Sequence, residues 1–285
     1  MKDRDSCTST ARLKINPLLA SMLACPVCAQ PPELKPDRVT CPSCARSFRV
    51  HDGVPVFADE TPEVVPTTHR SNPLGPEFEA LLRRGDRLTL HIGAGATAMR
   101  YPNCIEFERK IFRHTDVVGD AHHLPLRDGV FDQVFAFNVF EHLRDPKTAA
   151  AEIFRVLKPE GSVAIHTAFL QALHEEPAHF YNATEYGLRE WFSQFQIEHC
   201  AVSANFSPAY MIAFLMSNVL EATRAGQTSA AEQEALSQTS IGEWAAFWAR
   251  GSDPPPGFNM LQNLSQPLQK RIAAGFELLA RKPSV

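Results

Sequence analysis

No run of this 285-residue sequence is long and apolar enough to span a bilayer. The longest, around YMIAFLM, falls far short of the about 20 residues that a spanning helix needs. The opening residues, MKDRDSCTSTARLK, lack the apolar stretch that directs secretion. Internal repeats and low-complexity tracts are absent too. A soluble, cytoplasmic protein with no membrane insertion is expected. Cysteine is sparse and oddly placed. Four of the seven sit in two CxxC pairs and three are scattered (Cys7, Cys104, Cys200), which suits metal binding in a reducing compartment better than a disulfide framework. With 44% hydrophobic and 21% charged residues, the chain has the composition of a globular protein with one large domain and one small one.

Positive charge is in short supply beyond the front of the chain. Residues 1–50 hold eight Lys and Arg against four Asp and Glu, so the net charge of −4 hides a basic start and an acidic remainder. Two explanations stay open: the two parts dock on each other, or the front meets an anionic partner such as RNA.

NPLLASML reads as a short helix leading into CPVC at 25–28, with CPSC at 41–44. Each CxxC places two thiolates on one tight turn. Two such turns facing each other build the closed four-sulfur tetrahedron that zinc prefers, so Cys25, Cys28, Cys41 and Cys44 are expected to hold one structural zinc. A redox role fits poorly, because two matched pairs leave no open coordination position. ARSFRVHDGVPVF then alternates like a strand around a DG turn. The block from LLASMLACPVC to DGVPVF resembles the small zinc-ribbon domain of the activator subunits that partner with tRNA and protein methyltransferases. DETPEVVPTTHRSNPLGP, rich in Pro and Thr and without periodicity, reads as a linker. The expected layout is a lead-in helix and zinc ribbon over 1–57, a linker over 58–74 and a main domain over 75–285.

In the main domain, EFEALLRRGD gives a short amphipathic helix, and LTLHIGAGAT (88–97) an apolar strand breaking into a turn of small residues. Further strands are expected at CIEFE (104–108), DVVGD (116–120), FDQVFAFNV (131–139) and SVAIHTAF (162–169), with the helix DPKTAAAEIFRVLKPEG between the last two. This alternation argues a parallel α/β sheet. The connections on either side of CIEFE are too short for the usual crossover helix, so one sheet face is short of cover. An apolar patch there would need covering, and the C-terminal helices and the ribbon are the expected cover. Past the last core strand, QIEHCAVSAN reads as a strand, three helical patterns lie within an insertion of about 207–272, and GFELLARKP reads as a closing edge strand.

The run from GAGAT through GDAHHLPLRDGVFDQVFAFNVFEHLRDP to EIFRVLKPEGSVAIHTAF resembles the class I S-adenosylmethionine-dependent methyltransferases, type 11-like, and LHEEPAHFYNATEYGL adds a likeness to a bacterial subgroup. The resemblance implies a Rossmann-like sheet binding S-adenosylmethionine outside its strand ends. Gly93, Ala94 and Gly95 would approach the cofactor with their backbone, Glu108 would accept the ribose hydroxyls, and Asp120 and Ala121 would meet the adenine, with Asn138 at the next strand end. Two positions depart from the pattern: His91 stands where an acidic residue is common, and Thr97 replaces a third glycine. His174 and His142 are the expected bases. The expected activity is methyl transfer to an oxygen or nitrogen of a small-molecule or glycan-like acceptor, with RNA or protein acceptors as alternatives. The competing readings are a non-catalytic cofactor-binding scaffold and a zinc-ribbon RNA-binding module.

Overall fold

The computed structural model describes residues 15–226, 228–250, 253–274, 276 and 281. Two compact units divide them: the described residues up to Ala168 together with Ala183–His199, and Phe169–Asn182 together with those from Cys200 onward.

The first unit opens with helix α1 (Pro17–Met22), whose N-cap Asn16 accepts from the Leu18 amide and whose first residue is proline, where a missing N–H costs nothing. Four short strands follow: β1 (Glu33–Leu34), β2 (Arg38–Thr40), β3 (Ser47–His51) and β4 (Val54–Val56). They pair antiparallel in sequence order. Helix α2 (Pro76–Arg84) then precedes β5 (Thr89–Ile92), β6 (Cys104–Glu108), β7 (Val117–Val118) and β8 (Phe131–Phe137). Helix α3 (Pro146–Val156), capped by the Asp145 side chain on the Thr148 amide, runs directly into β9 (Leu157–His166). Helix α4 (Glu185–Trp191) completes the unit.

The nine strands among the described residues form one mixed sheet in the order β1-β2-β3-β4-β7-β6-β5-β8-β9. The five from β7 to β9 are parallel and reverse direction of travel at β5, so the switch point lies between β5 and β8. The ribbon does not stand apart from this sheet. β4 pairs parallel with β7 through Val56 and Val118, and the Phe57 amide donates to the Val118 carbonyl at 2.8 Å. The stretch 58–74, read from sequence as a linker, is laid along the strand ends. Val64 bridges to Ile111, with Val65 N donating to Ile111 O and Ile111 N to Glu63 O.

The two sheet faces differ in chemistry. Leu90, Ile92, Ile105, Phe107, Val134 and Ala136 point to one, where they pack with Leu19, Met22 and Leu23 from the α1 region and Ile153 and Val156 of α3. Each such apolar side chain, fully buried, contributes roughly 1.5–3 kcal/mol. The other face is the one spanned by the two short connections, and no helix forms in 93–103 or 109–116. It is not the apolar patch the sequence suggested. Thr89, His91, Glu106, Glu108 and Gln133 are all buried there, beside a smaller apolar cluster in which Leu82 of α2 meets Cys104 and Phe135. Within this unit, α2 and the connecting loops lie on this face. Carboxylates hold those loops: Thr97 Oγ1 donates to Glu106 at 2.7 Å, Asp116 accepts from the Glu106 amide at 3.0 Å and from Asn16 Nδ2 at 2.9 Å, and Arg100 pairs with Asp116. The α1 region, part of the cover expected for this face, packs its apolar residues on the opposite one.

Other differences are local. The strand expected over 116–120 is only two residues long, β9 starts five residues before 162, and α4 was not foreseen. Residues 196–203 form no strand. β9 starts early because Glu160, with φ 64, and Gly161 carry a bulge opposite Phe131–Gln133. A Cβ on Gly161 would come within 2.8 Å of the Lys158 carbonyl. The closing strand expected over 275–283 falls largely outside the described residues.

The second unit contains α5 (Pro208–Ala225), α6 (Ala230–Gln238), α7 (Ile241–Arg250), α8 (Phe258–Gln262) and α9 (Gln266–Ile272). A capping box between Ser229 and Glu232 starts α6. The aromatic stripe of α7 is split: Phe247 packs against Phe258 at 4.8 Å between ring centroids, whereas Trp248 is 89% exposed.

Burial raises the Glu106 carboxyl to about 7. Across the window from the ordinary value of 4.5 up to 7, the folded protein holds a proton that the unfolded chain releases, so this group's contribution to stability falls as pH rises. His91 acts oppositely, because burial lowers it to about 4 and its contribution is lost as pH drops below 6.5. Glu106→Gln should therefore gain stability over the parent progressively between pH 4.5 and 7, by up to about 3 kcal/mol, and hold a constant margin above that. Melting curves of both proteins across this range check it; a margin independent of pH would contradict the burial argument.

Candidate functional site

The carboxyl ends of β5, β6, β7 and β8 lie side by side, and the residues that follow them form the site. After β5 the chain turns at Gly93 and Gly95, with φ of 67° and 65°, a conformation that side chains with a Cβ rarely adopt. Space excludes a side chain as well. A Cβ on Gly93 would meet Val139 Cγ2 at 2.3 Å, and one on Gly95 would meet Ser71 Oγ at 2.5 Å. Ala94 between them is buried.

Glu108, the last residue of β6, is buried at 8% exposure, and its carboxylate accepts from the Gly95 amide and, at 3.3 Å, from Arg109 N. Desolvation raises it to about 7, against the pull of these two backbone donors and Lys110. The structure thus brings Glu108 onto the glycine turn, two elements the sequence placed at the same site. Two residues beyond β7 lies Asp120, whose side chain is 61% exposed and takes the His122 amide at 3.0 Å and His122 Nδ1 at 2.5 Å. Desolvation works against its ionisation, yet these bonds hold its carboxyl below the ordinary range. His122 Nε2 in turn accepts from the Asp145 amide, which ties the Asp120 loop to the start of α3. Ala121 is buried beneath that loop.

Asn138 follows β8 with φ 56°, a left-handed position that asparagine tolerates better than most residues, and its amide donates to the His166 carbonyl. The chain then enters a 3-10 turn, Phe140–His142, carrying His142. In the same turn Glu141 is fully buried. One of its carboxylate oxygens accepts from Thr167 Oγ1 at 2.9 Å, and among the described residues the other has no hydrogen-bond donor. His174, the other expected base, belongs to the second unit, where its Nδ1 lies 3.0 Å from the Ala172 carbonyl and its ring 4.3 Å from that of His179.

The two departures at the turn have distinct fates. His91 points into the sheet face rather than the site, between Phe135 and Phe137, with centroids 6.2 and 5.9 Å away. Thr97 turns inward to Glu106 and His114 Nδ1. Ser71 escaped the reading of the sequence altogether. It lies in a stretch without periodicity, yet its Oγ accepts from the Ala96 amide at 2.9 Å. Glu106 did leave a signal: CIEFE puts a carboxylate two residues before Glu108, on the same side of a strand expected to be buried.

In the ribbon, Cys25 Sγ and Cys44 Sγ are 3.6 Å apart, Cys28 Sγ and Cys41 Sγ 3.4 Å, and all four sulfurs lie within 4.8 Å of one another. A zinc tetrahedron with bonds of about 2.3 Å has edges of about 3.8 Å, so this donor set fits the ion. Backbone bonds from Cys25 N to Gln30 O and from Cys41 N to Arg46 O shape the two turns.

Over 120 residues the chain is 32% identical to the malonyl-[acyl-carrier protein] O-methyltransferase of Geobacter sulfurreducens, a match covering 31% of this chain and 45% of that relative. The chain thus spans less than half the length of this curated relative. Solved structures that match part of this chain include the YcgJ protein of Bacillus subtilis (15% identity, 55% of this chain and 86% of that one, TM-score 0.35). A phosphoethanolamine N-methyltransferase 2 of Haemonchus contortus is another (17% identity, 60% and 46%, TM-score 0.35). Residues 92–165, from the last residue of β5 almost to the end of β9, match the methyltransferase domain family Methyltransf_11, and the match contains the glycine turn, Glu108, Asp120 and Asn138.

Proposed function

We propose that this protein is an S-adenosylmethionine-dependent methyltransferase that methylates an oxygen or nitrogen of a small-molecule acceptor. The observation that carries the reading is the row of strand ends: a left-handed glycine turn, a buried carboxylate and an exposed one on the adjacent strands β5, β6 and β7, inside the segment that matches the methyltransferase family. The relative's name, an O-methyltransferase of malonyl-[acyl-carrier protein], favours oxygen as the accepting atom. The cofactor supplies a methyl group on a positively charged sulfur, whose S–CH₃ bond breaks as the acceptor's O–CH₃ or N–CH₃ bond forms. The chain's own residues have less covalent work to do. Glu108 accepts the ribose hydroxyls, Asp120 accepts from the adenine amino group, and Gly93, Ala94, Gly95, Ala121 and Asn138 leave the backbone approachable. Holding donor and acceptor at attack distance is the main catalytic contribution. A base that takes the acceptor's proton is the other, for which His142 and His174 are the candidates.

Cys25, Cys28, Cys41 and Cys44 hold one structural zinc in this reading. Since β4 of the ribbon extends the catalytic sheet, the metal stabilises a part of the same unit. One specific observation favours the scaffold alternative. The Gly95 and Ala96 amides are both engaged within the protein, by Glu108 and Ser71, and no helix N-terminus follows the turn.

Labelled S-adenosylmethionine incubated with the protein and fractionated cell extract separates these readings. A labelled product supports the enzyme; cofactor binding with no product in any fraction supports the scaffold. By calorimetry, Glu108→Ala should bind the cofactor tenfold or more weakly, a loss of roughly 1.5–3 kcal/mol of charge-assisted hydrogen bonding, and an unchanged affinity would displace the pocket from this turn. For the metal, elemental analysis should find about one zinc per chain after metal-replete expression. Cys28→Ser should melt at a clearly lower temperature, and an unaltered melting profile would remove the structural role.

A further inference from the structure

In an α/β site of this kind the turn after the first strand opens into a helix whose free amides face the ligand. Here that helix is missing. The Gly95 amide is taken by Glu108 and the Ala96 amide by Ser71, while the Thr97 hydroxyl is turned away to Glu106 and His114. His91 is sealed in the sheet face. The turn therefore has few polar groups of its own left to offer a ligand.

Ser71 stands where they would have been. Its Oγ is 2.9 Å from Ala96 N and occupies the space left by the absent side chain of Gly95, and the residue is half-buried. The oxygen accepts from Ala96, and among the described residues its own proton has no hydrogen-bond acceptor. A hydroxyl that accepts from a backbone amide is polarised to donate onward. The segment carrying Ser71 is fastened nearby: Arg113 donates to the His69 carbonyl at 2.7 Å, and Val64–Val65 are bridged to Ile111. Ser71 is thus carried by a segment anchored on the connection that follows β6.

We propose that Ser71 is a specificity-determining contact of the cofactor site, whose hydroxyl donates a hydrogen bond to the amino-acid end of the cofactor in place of the donors this turn lacks. The proposal rests on the methyltransferase reading above and adds a residue outside the segment that matches the family. The choice of end follows from strand order. With Asp120 beyond β7 and Glu108 ending β6 assigned to adenine and ribose, the β5 turn is left for the remaining, amino-acid part of the molecule.

Calorimetry with two ligands tests this on full-length protein: S-adenosylhomocysteine, and 5′-methylthioadenosine, which lacks the amino-acid end. Ser71→Ala should weaken S-adenosylhomocysteine about tenfold, the worth of one hydrogen bond to a charged group, while leaving 5′-methylthioadenosine within about twofold. Ser71→Thr, which keeps the hydroxyl, should restore most of the loss. In the free protein, hydrogen exchange at the Ala96 amide should accelerate in Ser71→Ala and not in Ser71→Thr. Equal effects on both ligands, or tighter binding by Ser71→Ala, would overturn the assignment and make Ser71 a latch over the turn. If the wild type binds both ligands and Ser71→Ala is indistinguishable from it, this inference alone fails; if the wild type binds neither, the methyltransferase reading fails with it.

Discussion

The constraint on which the rest depends is the burial of three carboxylates, Glu106, Glu108 and Asp116, under connections too short to form helices. A parallel sheet normally covers each face with crossover helices that satisfy their own backbone and present an apolar stripe to the strands. Irregular loops do neither, and their donors need partners. The carboxylates supply them: Glu108 to the Gly95 and Arg109 amides, Glu106 to Thr97, Asp116 to the Glu106 amide, to Asn16 and to Arg100. Burial itself opposes ionisation and lifts both glutamates to about 7. The sheet face that lost its helices has become polar as a consequence, and its chemistry now shapes the turn where a ligand would bind.

The same economy of helices explains the standing of the ribbon. An open sheet ending at β7, two residues long, would present an edge ready to pair with another chain. β4 pairs with that edge, and the antiparallel strands β3, β2 and β1 carry the sheet on toward the cysteine turns. The opposite arm of the ribbon is tied down as well. Leu23 bridges to Leu126, Ala24 N donates to Pro125 O, and Arg127 N donates to Met22 O. The loop from Asp120 to Arg127 thus runs between contacts with both arms of the ribbon, and Phe57 packs near Gly119 at its start. A small domain too short to stand on a core of its own gains one by sharing this sheet.

Much of this was legible in the sequence. The spacing of CPVC and CPSC points to four converging sulfurs because each pair needs only one tight turn, and the structure brings all four within 4.8 Å of one another. The strands β5, β6 and β8 could be read within a residue or two, since fully buried parallel strands are apolar runs bounded by turn signals, and α3 announced itself with Asp145 and Pro146. The shortage of residues for two crossovers was a matter of counting. What that shortage would do was not. A buried face can be kept closed by an exposed apolar patch finding a partner or by polar side chains finding loop donors, and the one-dimensional pattern of CIEFE fits a buried strand in either case. The strand expected at 196–205 does not form, and among the described residues no strand pairs with this stretch.

The sequence by itself determined the strands β5, β6 and β8, the helix α3, the two cysteine turns and the residues that follow each of those strand ends, because each depends on a few neighbours along the chain. Only the tertiary structure decided which groups those residues meet. That Glu108 closes on Gly95, that Thr97 turns to Glu106 and that Ser71 covers the glycine turn from a stretch 25 residues upstream all depend on long-range packing. Hydrogen bonds between segments far apart in sequence form where the fold brings donors and acceptors together under the exclusion of water, and no local periodicity records them.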